Sequence, residues 1–180
     1  MVDTFAVVVA QLPYERLDGD EGTDVAFPLV NGRHLLDLVT EFERPRAVQA
    51  GFTGTNSYAP LCSADVLFPS GHWIGKPLEE LVCGGWTVVA TCTCGAWECG
   101  GLLARIAVGS DTVTWSHFQT PFGISRSKEG HPEANAPHIS TEGFGPFVFD
   151  RGQYEAALTA AQRIPWPYPL ALEEPPASRS

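Results

Sequence analysis

The chain has 180 residues, of which 44% are hydrophobic and 18% are charged, a balance typical of a folded domain with its own core. Its formal net charge is −10, and the 11 lysines and arginines are scattered along the chain. Because nucleic acids and anionic membranes bind basic patches, we expect neither of them as a partner.

The N-terminal part of the chain predicts two strands. The run from Phe5 to Ala10 is apolar on both faces and rich in β-branched residues, as in a central strand. No basic segment precedes it and it is too short to cross a bilayer, so we expect a cytoplasmic protein. A second strand is predicted from Ala26 to Val30, ending at the turn pair Asn31-Gly32.

Residues 33–43 predict the first of two main helices, because Leu35, Val39 and Phe42 fall on one apolar stripe. We expect Asn31 to cap this helix and Pro45 to end it.

The second main helix is predicted over residues 151–163. Asp150 has the position of an N-cap and Gln153 that of its capping-box partner. Phe149 and Tyr154 have the spacing of a hydrophobic staple.

Between these helices, three β-prone segments predict an antiparallel meander over about residues 86–118: Trp86 to Cys94, Leu102 to Val108 and Thr112 to Phe118. The predicted fold class is therefore α+β, with this meander and the N-terminal strands packed by the two helices. We expect one domain over residues 1–172, followed by a disordered tail at 173–180.

Three of the five cysteines lie within eight residues, in the stretch Cys92-Thr-Cys94-Gly-Ala-Trp-Glu-Cys99 between two predicted strands. If Cys92 and Cys94 are on a strand, their thiols share one face, and the glycines that follow let Cys99 fold back to them. In a reducing compartment, clustered cysteines are more often metal-binding or catalytic than disulfide-bonded. The stretch predicts a soft-metal site, with zinc as the expected ion.

A structural zinc site needs a fourth ligand, and His117 is the first candidate for it. If Val108 pairs with Thr112 in the predicted hairpin, Leu103 lies opposite His117, at the end of the sheet that carries the cysteine turn. The other candidates are Cys83, His72, His131 and His138. A site with three ligands and an open position, as catalytic zinc requires, is the alternative.

The same turn also allows redox chemistry, because a disulfide between Cys94 and Cys99 would close a loop of six residues. The remaining alternative is that the thiols are buried and carry no ligand. No phosphate-binding loop, nucleophile elbow, dinucleotide fingerprint or deaminase signature is present in the sequence.

The chain resembles a family of small uncharacterised actinobacterial proteins, some of which carry the loose label "oxidoreductase". The resemblance rests on residues 88–99 (VVATCTCGAWEC), 102–106 (LLARI), 113–116 (VTWS) and 145–158 (GPFVFDRGQYEAAL). It implies no established substrate.

The sequence therefore predicts a non-catalytic binding or accessory protein whose cysteine-rich turn binds zinc, with a small molecule or a protein as its partner. One alternative is a small thiol-redox or metal-dependent enzyme at the same turn, with the irregular segment 119–145 as a lid and His117 or His131 as acid or base. A second alternative is an acidic partner-binding protein of the immunity type, acting through Asp18, Asp20, Glu21 and Asp24.

Overall fold

The computed structural model of the chain describes residues 2–13, 22–121 and 139–168. In chain order, the strands are β1 (Phe5–Gln11), β2 (Asp24–Val30), β3 (Arg33–His34), β4 (Tyr58–Ala59), β5 (Leu61–Cys62), β6 (Val82–Cys83), β7 (Trp86–Cys92), β8 (Leu102–Val108), β9 (Thr112–Gln119), β10 (Phe147–Asp150) and β11 (Gln162–Arg163). The helices are α1 (Leu35–Gln49), α2 (Ser63–Val66) and α3 (Arg151–Thr159), and His72–Ile74 and Glu79–Leu81 form 3-10 turns.

The strands form two sheets, which confirms the predicted α+β class. The first sheet has the order β11-β1-β2-β3, and β5 also pairs with β2. The second sheet has the order β10-β9-β8-β7-β4, and β6 also pairs with β7. The antiparallel meander β7-β8-β9 is therefore present, and Phe5 to Ala10 lies inside a sheet as expected.

The two sheets share one buried core with an aromatic centre. Phe5 of the first sheet packs against Trp115 of the second, with ring centroids 5.7 Å apart. The Tyr154 hydroxyl accepts a hydrogen bond from the Trp115 indole (3.0 Å) and donates one to the Trp73 carbonyl (2.7 Å). These contacts join α3, the meander and the 3-10 turn at His72–Ile74.

The first helix begins and ends later than predicted. Asn31 does not cap it, because Asn31 (φ +52°) and Gly32 (φ +76°) form the tight turn between β2 and β3. The side chain of Asn31 instead accepts a hydrogen bond from the Thr4 amide at 2.9 Å. Pro45 lies inside the helix, which continues to Gln49 because Ala47 extends the buried face beyond the proline.

The second helix starts as predicted and ends earlier. The Asp150 carboxylate accepts a hydrogen bond from the Gln153 amide at 2.8 Å, and the Phe149 and Tyr154 rings stack with centroids 5.6 Å apart. The side chain of Gln153 bonds the backbone of Phe5 rather than closing the capping box. The helix stops at Thr159 because β11 leaves it to pair in parallel with β1.

The register of β8 and β9 differs from the prediction by one residue near the hairpin turn and by two residues at Leu103. Val108 pairs with Val113, not with Thr112, and Leu103 pairs with Gln119. Two residues, His117 and Phe118, then oppose Ala104 alone, which defines a β-bulge in β9.

Candidate metal centre

The cysteine turn connects the end of β7 to the start of β8. The predicted strand to Cys94 is two residues too long, because the chain turns directly after Cys92: the Gly95 amide donates to the Cys92 carbonyl at 2.9 Å. The Cys92 amide in turn donates to the Ala96 carbonyl at 3.1 Å. Cys94 therefore reaches Cys92 through a turn and not along one strand face.

Two glycines make this turn possible. Gly95 has a φ of +97°, a conformation that other residues adopt only with strain. At Gly101, an added Cβ would lie 2.7 Å from the Ala90 carbonyl oxygen and 2.8 Å from that of Trp97. The start of β8 can thus pack against the turn only without a side chain at Gly101.

The turn brings all three predicted cysteine ligands together. The Sγ atoms of Cys92, Cys94 and Cys99 lie within 4.8 Å of one another. Cys94 is exposed, and Cys92 and Cys99 are half-buried. The thiols of Cys94 and Cys99 are in direct contact, with their Sγ atoms 2.8 Å apart.

The contact between the Cys94 and Cys99 thiols shifts their pKa values in opposite directions. The hydrogen bond from Cys99 stabilises a Cys94 thiolate and lowers the pKa of Cys94. Burial disfavours a Cys99 thiolate, and so does the hydrogen bond to Cys94, so the pKa of Cys99 is raised. Cys94 is consequently the first of the pair to ionise.

The donor set fits a soft metal ion better than a hard one. Three sulfur ligands favour zinc, copper(I) or iron–sulfur chemistry over magnesium or calcium, which prefer oxygen. Tetrahedral zinc with Zn–S bonds of about 2.3 Å places its sulfurs about 3.8 Å apart. The 4.8 Å cluster is compatible with that spacing after the Cys94–Cys99 pair opens by about 1 Å.

The structure places His117 away from the cysteine group. Its imidazole is not among the ligand atoms within 4.8 Å, and its ring centroid lies 6.4 Å from that of Trp86, at the start of β7. Six residues separate Trp86 from Cys92, and an extended strand of that length spans about 20 Å. The pairing of the strands explains this, because His117 opposes Ala104, and Ala104 pairs with Thr87 at the start of β7.

The other candidates for a fourth ligand are also separate from the group, as far as the structure describes them. His72 is buried and bonded through both ring nitrogens, with Nε2 2.7 Å from the Val88 carbonyl oxygen and Nδ1 accepting from the Leu78 amide at 3.1 Å. Cys83 lies in β6, which pairs with the start of β7. His131 and His138 lie outside the described residues, as does most of the segment 119–145 proposed as a lid.

The acidic loop is described only at its end. Asp18, Asp20 and Glu21 lie outside the described residues, like the predicted tail at 173–180. Asp24 forms an ion pair with Arg163, which joins β2 to β11 across the sheet.

A buried polar cluster that the sequence analysis missed supports the turn from one side. Glu43 of α1 is fully buried and accepts hydrogen bonds from the Tyr58 hydroxyl (2.6 Å) and from the Asn56 side-chain amide (2.8 Å). Tyr58 belongs to β4 and pairs with Cys92. The sequence does contain a sign of this cluster, because Glu43 is four residues after Val39 and so falls on the apolar face of the predicted helix.

Burial of this cluster raises the pKa values of Glu43 and Tyr58. Desolvation raises the pKa of Glu43, against the opposing effect of its hydrogen bonds to Tyr58 and Asn56. Desolvation and the neighbouring Glu43 carboxyl raise the pKa of Tyr58, which stays a neutral donor. The cluster thus ties α1 to the strand that borders the cysteine turn.

Comparison with known proteins assigns no family: no protein-family model, no curated protein and no solved structure matches the chain. Within the described residues, no helix has the length and apolar character needed to cross a membrane. The chemistry of the cysteine turn is therefore the basis for a functional assignment.

Proposed function

We propose that this protein binds one zinc ion through the thiolates of Cys92, Cys94 and Cys99, and that it acts as a binding or accessory protein rather than as an enzyme. The observation that carries the proposal is the convergence of three Sγ atoms within 4.8 Å on one turn. A single buried cysteine is common in protein cores, whereas three thiols on one tight turn match the donor set of zinc sites.

The turn supplies three of the four ligands of a tetrahedral zinc ion, and its position favours a structural role for that ion. The ligands link the last residue of β7 to the residues just before β8, so a bound ion would cross-link the turn that joins two core strands. The binding free energy of such an ion contributes to the stability of the fold.

The experiment is a chelator competition with matched cysteine variants. Wild-type protein, Cys99→Ser and Cys62→Ser are loaded with zinc and titrated with a chromogenic chelator. Cys62 is a matched control, because it is half-buried like Cys99 and lies outside the cluster. We expect wild type and Cys62→Ser to retain zinc equally, and Cys99→Ser to bind at least about tenfold more weakly.

Equal zinc affinity in Cys99→Ser and Cys62→Ser would contradict the proposal. If Cys99→Ser does not fold, Cys94→Ser replaces it, because the Cys94 side chain is exposed and its loss disturbs packing less. Far-UV circular dichroism of each variant checks the fold before the titration.

The contact of Cys94 with Cys99 favours a second candidate function, thiol–disulfide exchange. Their Sγ atoms are 2.8 Å apart, and Cys94 is open to solvent. With a low-molecular-weight disulfide RSSR, the Cys94 thiolate attacks one sulfur and releases RS⁻, forming a mixed disulfide. Cys99 gives its proton to solvent, attacks the Cys94 sulfur and releases the second RS⁻. Two protein thiols are thereby oxidised, and one RSSR is reduced to two thiols.

Intact-mass measurement after incubation with oxidised glutathione distinguishes this candidate. The metal-free chain should lose two hydrogens, and Cys99→Ser should stop at the glutathione adduct. Cys83→Ser, with a half-buried thiol outside the cluster, should behave like wild type. A chain that forms neither a disulfide nor an adduct would exclude the redox candidate and leave zinc binding unaffected.

A further inference from the structure

A second candidate site lies at the opposite end of β7 from the cysteine turn. It is a cleft of about 620 Å³, within the range of small-molecule sites. Trp86 at the start of β7 lines one side, and the end of β9 and residues 140–146 line the rest. Because Trp86 and Cys92 occupy the two ends of a seven-residue strand, the cleft and the cysteine turn are about 20 Å apart.

The cleft is built on an irregular part of the sheet. The bulge in β9 places His117 at a φ of +52°, in the left-handed region that a residue other than glycine occupies at a cost. A second irregularity lies on the other side of β8, where β7 shifts register between Val88 and Ala90. Bulges are frequent next to binding sites, where they redirect a side chain. Here the bulge places the exposed His117 side chain on the wall of the cleft.

The base of the cleft is aromatic and rigid. Phe118 and Phe144 pack edge to face, with ring centroids 4.9 Å apart. Gly145 packs closely against Phe118, since an added Cβ would lie 3.1 Å from the phenyl ring. The Thr141 hydroxyl donates to the Phe118 carbonyl at 2.7 Å and holds the opposite wall in place.

The walls of the cleft carry several polar side chains. Ser116, His117 and Gln119 offer hydroxyl, imidazole and amide groups, which both donate and accept hydrogen bonds. The described lining residues include Glu142 and no lysine or arginine. The Arg105 guanidinium packs over the Trp86 ring, 4.5 Å from its centroid, and so fixes the orientation of that ring. Arg105 also pairs with the lining residue Ser116, so a positive charge lies beside the cleft.

We propose that this cleft binds a planar heteroaromatic compound of the size of a purine base, with Trp86 and His117 as the residues that recognise it. The aromatic base and the Trp86 ring provide surface for a flat ring, and the hydroxyl, imidazole and amide groups of the walls satisfy its donors and acceptors. The site is separate from the cysteine turn and does not depend on the zinc proposal.

The experiment uses the full chain with adenine as the probe. Binding is detected by ligand-observed saturation-transfer NMR and located by titration of the protein's backbone amide signals. We expect saturable binding, with the largest shifts at His117 and Gln119. His117→Gln and Trp86→Leu should each weaken binding about tenfold, which corresponds to the loss of a ring contact or a hydrogen bond. His34→Gln is the matched control, because His34 lies outside the cleft, and it should bind adenine like wild type.

Three results would overturn the inference. One is the absence of saturable adenine binding by the wild-type protein up to the solubility of adenine. Another is equal affinity in His117→Gln, Trp86→Leu and His34→Gln. The third is binding of benzoate as tight as that of adenine, because benzoate has a flat ring without the ring donors and acceptors that the walls are proposed to satisfy. Each of these results leaves the zinc measurement unchanged.

Discussion

Single residues decide whether the cysteine turn can form, and Gly101 is the most constrained of them. Its missing side chain leaves room for two carbonyl oxygens that an added Cβ would approach within 2.8 Å. Both oxygens belong to the backbone and cannot move aside like the end of a flexible side chain. The neighbouring Gly100 has no such contact, since its nearest atom is the Cys92 sulfur at 3.8 Å.

We therefore predict that Gly101→Ala destabilises the protein by about 1–3 kcal/mol and weakens zinc binding, because the turn must shift to relieve the overlap. Gly100→Ala is the matched control and should change the free energy of unfolding by less than about 1 kcal/mol. Urea unfolding of both variants with the same chelator titration measures the two effects. Equal stability of the two variants would contradict this account of the turn.

The sequence indicates which residues form the candidate metal site, but not which residues strand pairing places beside them. The proximity of Cys92, Cys94 and Cys99 could be predicted, because the three cysteines lie within eight consecutive residues that contain a glycine turn. His117 could not be placed, because its position depends on the pairing of β8 with β7 and on the bulge in β9, which local patterns do not contain. No sequence pattern marks that bulge, since His117 is not a glycine.

At the scale of elements, the turn depends on the helix α1 through Glu43. The buried carboxylate bonds Tyr58 and Asn56, and the strand of Tyr58 pairs with Cys92. Cys92 is therefore connected to a helix more than forty residues earlier in the chain.

We predict that Glu43→Ala destabilises the protein by about 2–4 kcal/mol, because it opens a cavity and leaves the Asn56 amide without its carboxylate. Glu41→Ala is the matched control on the same helix. Its partner is Arg33, in an ion pair whose side chains are about half exposed and screened by solvent, so its loss should lower the free energy of unfolding far less than the loss of Glu43. Thermal or urea unfolding measures both, and a similar loss in the two variants would disprove the role of Glu43.

Element type was easier to predict than element length. The strands of the meander and the start of the second helix could be predicted from alternation, from the capping residue Asp150 and from the staple. The end of α1 could not, because the burial of Ala47 outweighs the local effect of Pro45. The end of α3 depends on the pairing of β11 with β1, a contact between residues about 150 positions apart that local patterns do not contain.

At the scale of the whole molecule, the buried His72 links stability to pH. Burial lowers the pKa of His72 below its ordinary value of 6.5, and the hydrogen bond to Val88 only partly offsets this. The Leu78 amide donates to Nδ1, so a proton on Nδ1 would break that contact. The unfolded chain thus binds this proton more readily than the folded one.

We predict that the buried His72 stabilises the fold above about pH 6.5 and that this contribution is lost as the pH falls below that value. Glu43 acts in the opposite direction: its raised pKa gives stability that is present below its ordinary value of 4.5 and lost as the pH rises. The measurement is the free energy of unfolding at about pH 7.5 and about pH 5.5 for wild type and His72→Gln. The wild type should lose more stability than the variant, and parallel losses in both would contradict the prediction.

The central claim is that the cysteine turn holds zinc. The most direct test is elemental mass spectrometry of untagged protein purified without chelator, with thiol alkylation of the same sample and peptide mapping. The account predicts one zinc per chain, with Cys92, Cys94 and Cys99 protected from alkylation and Cys62 and Cys83 more reactive than these three. A metal-free chain whose three clustered thiols react freely would contradict it.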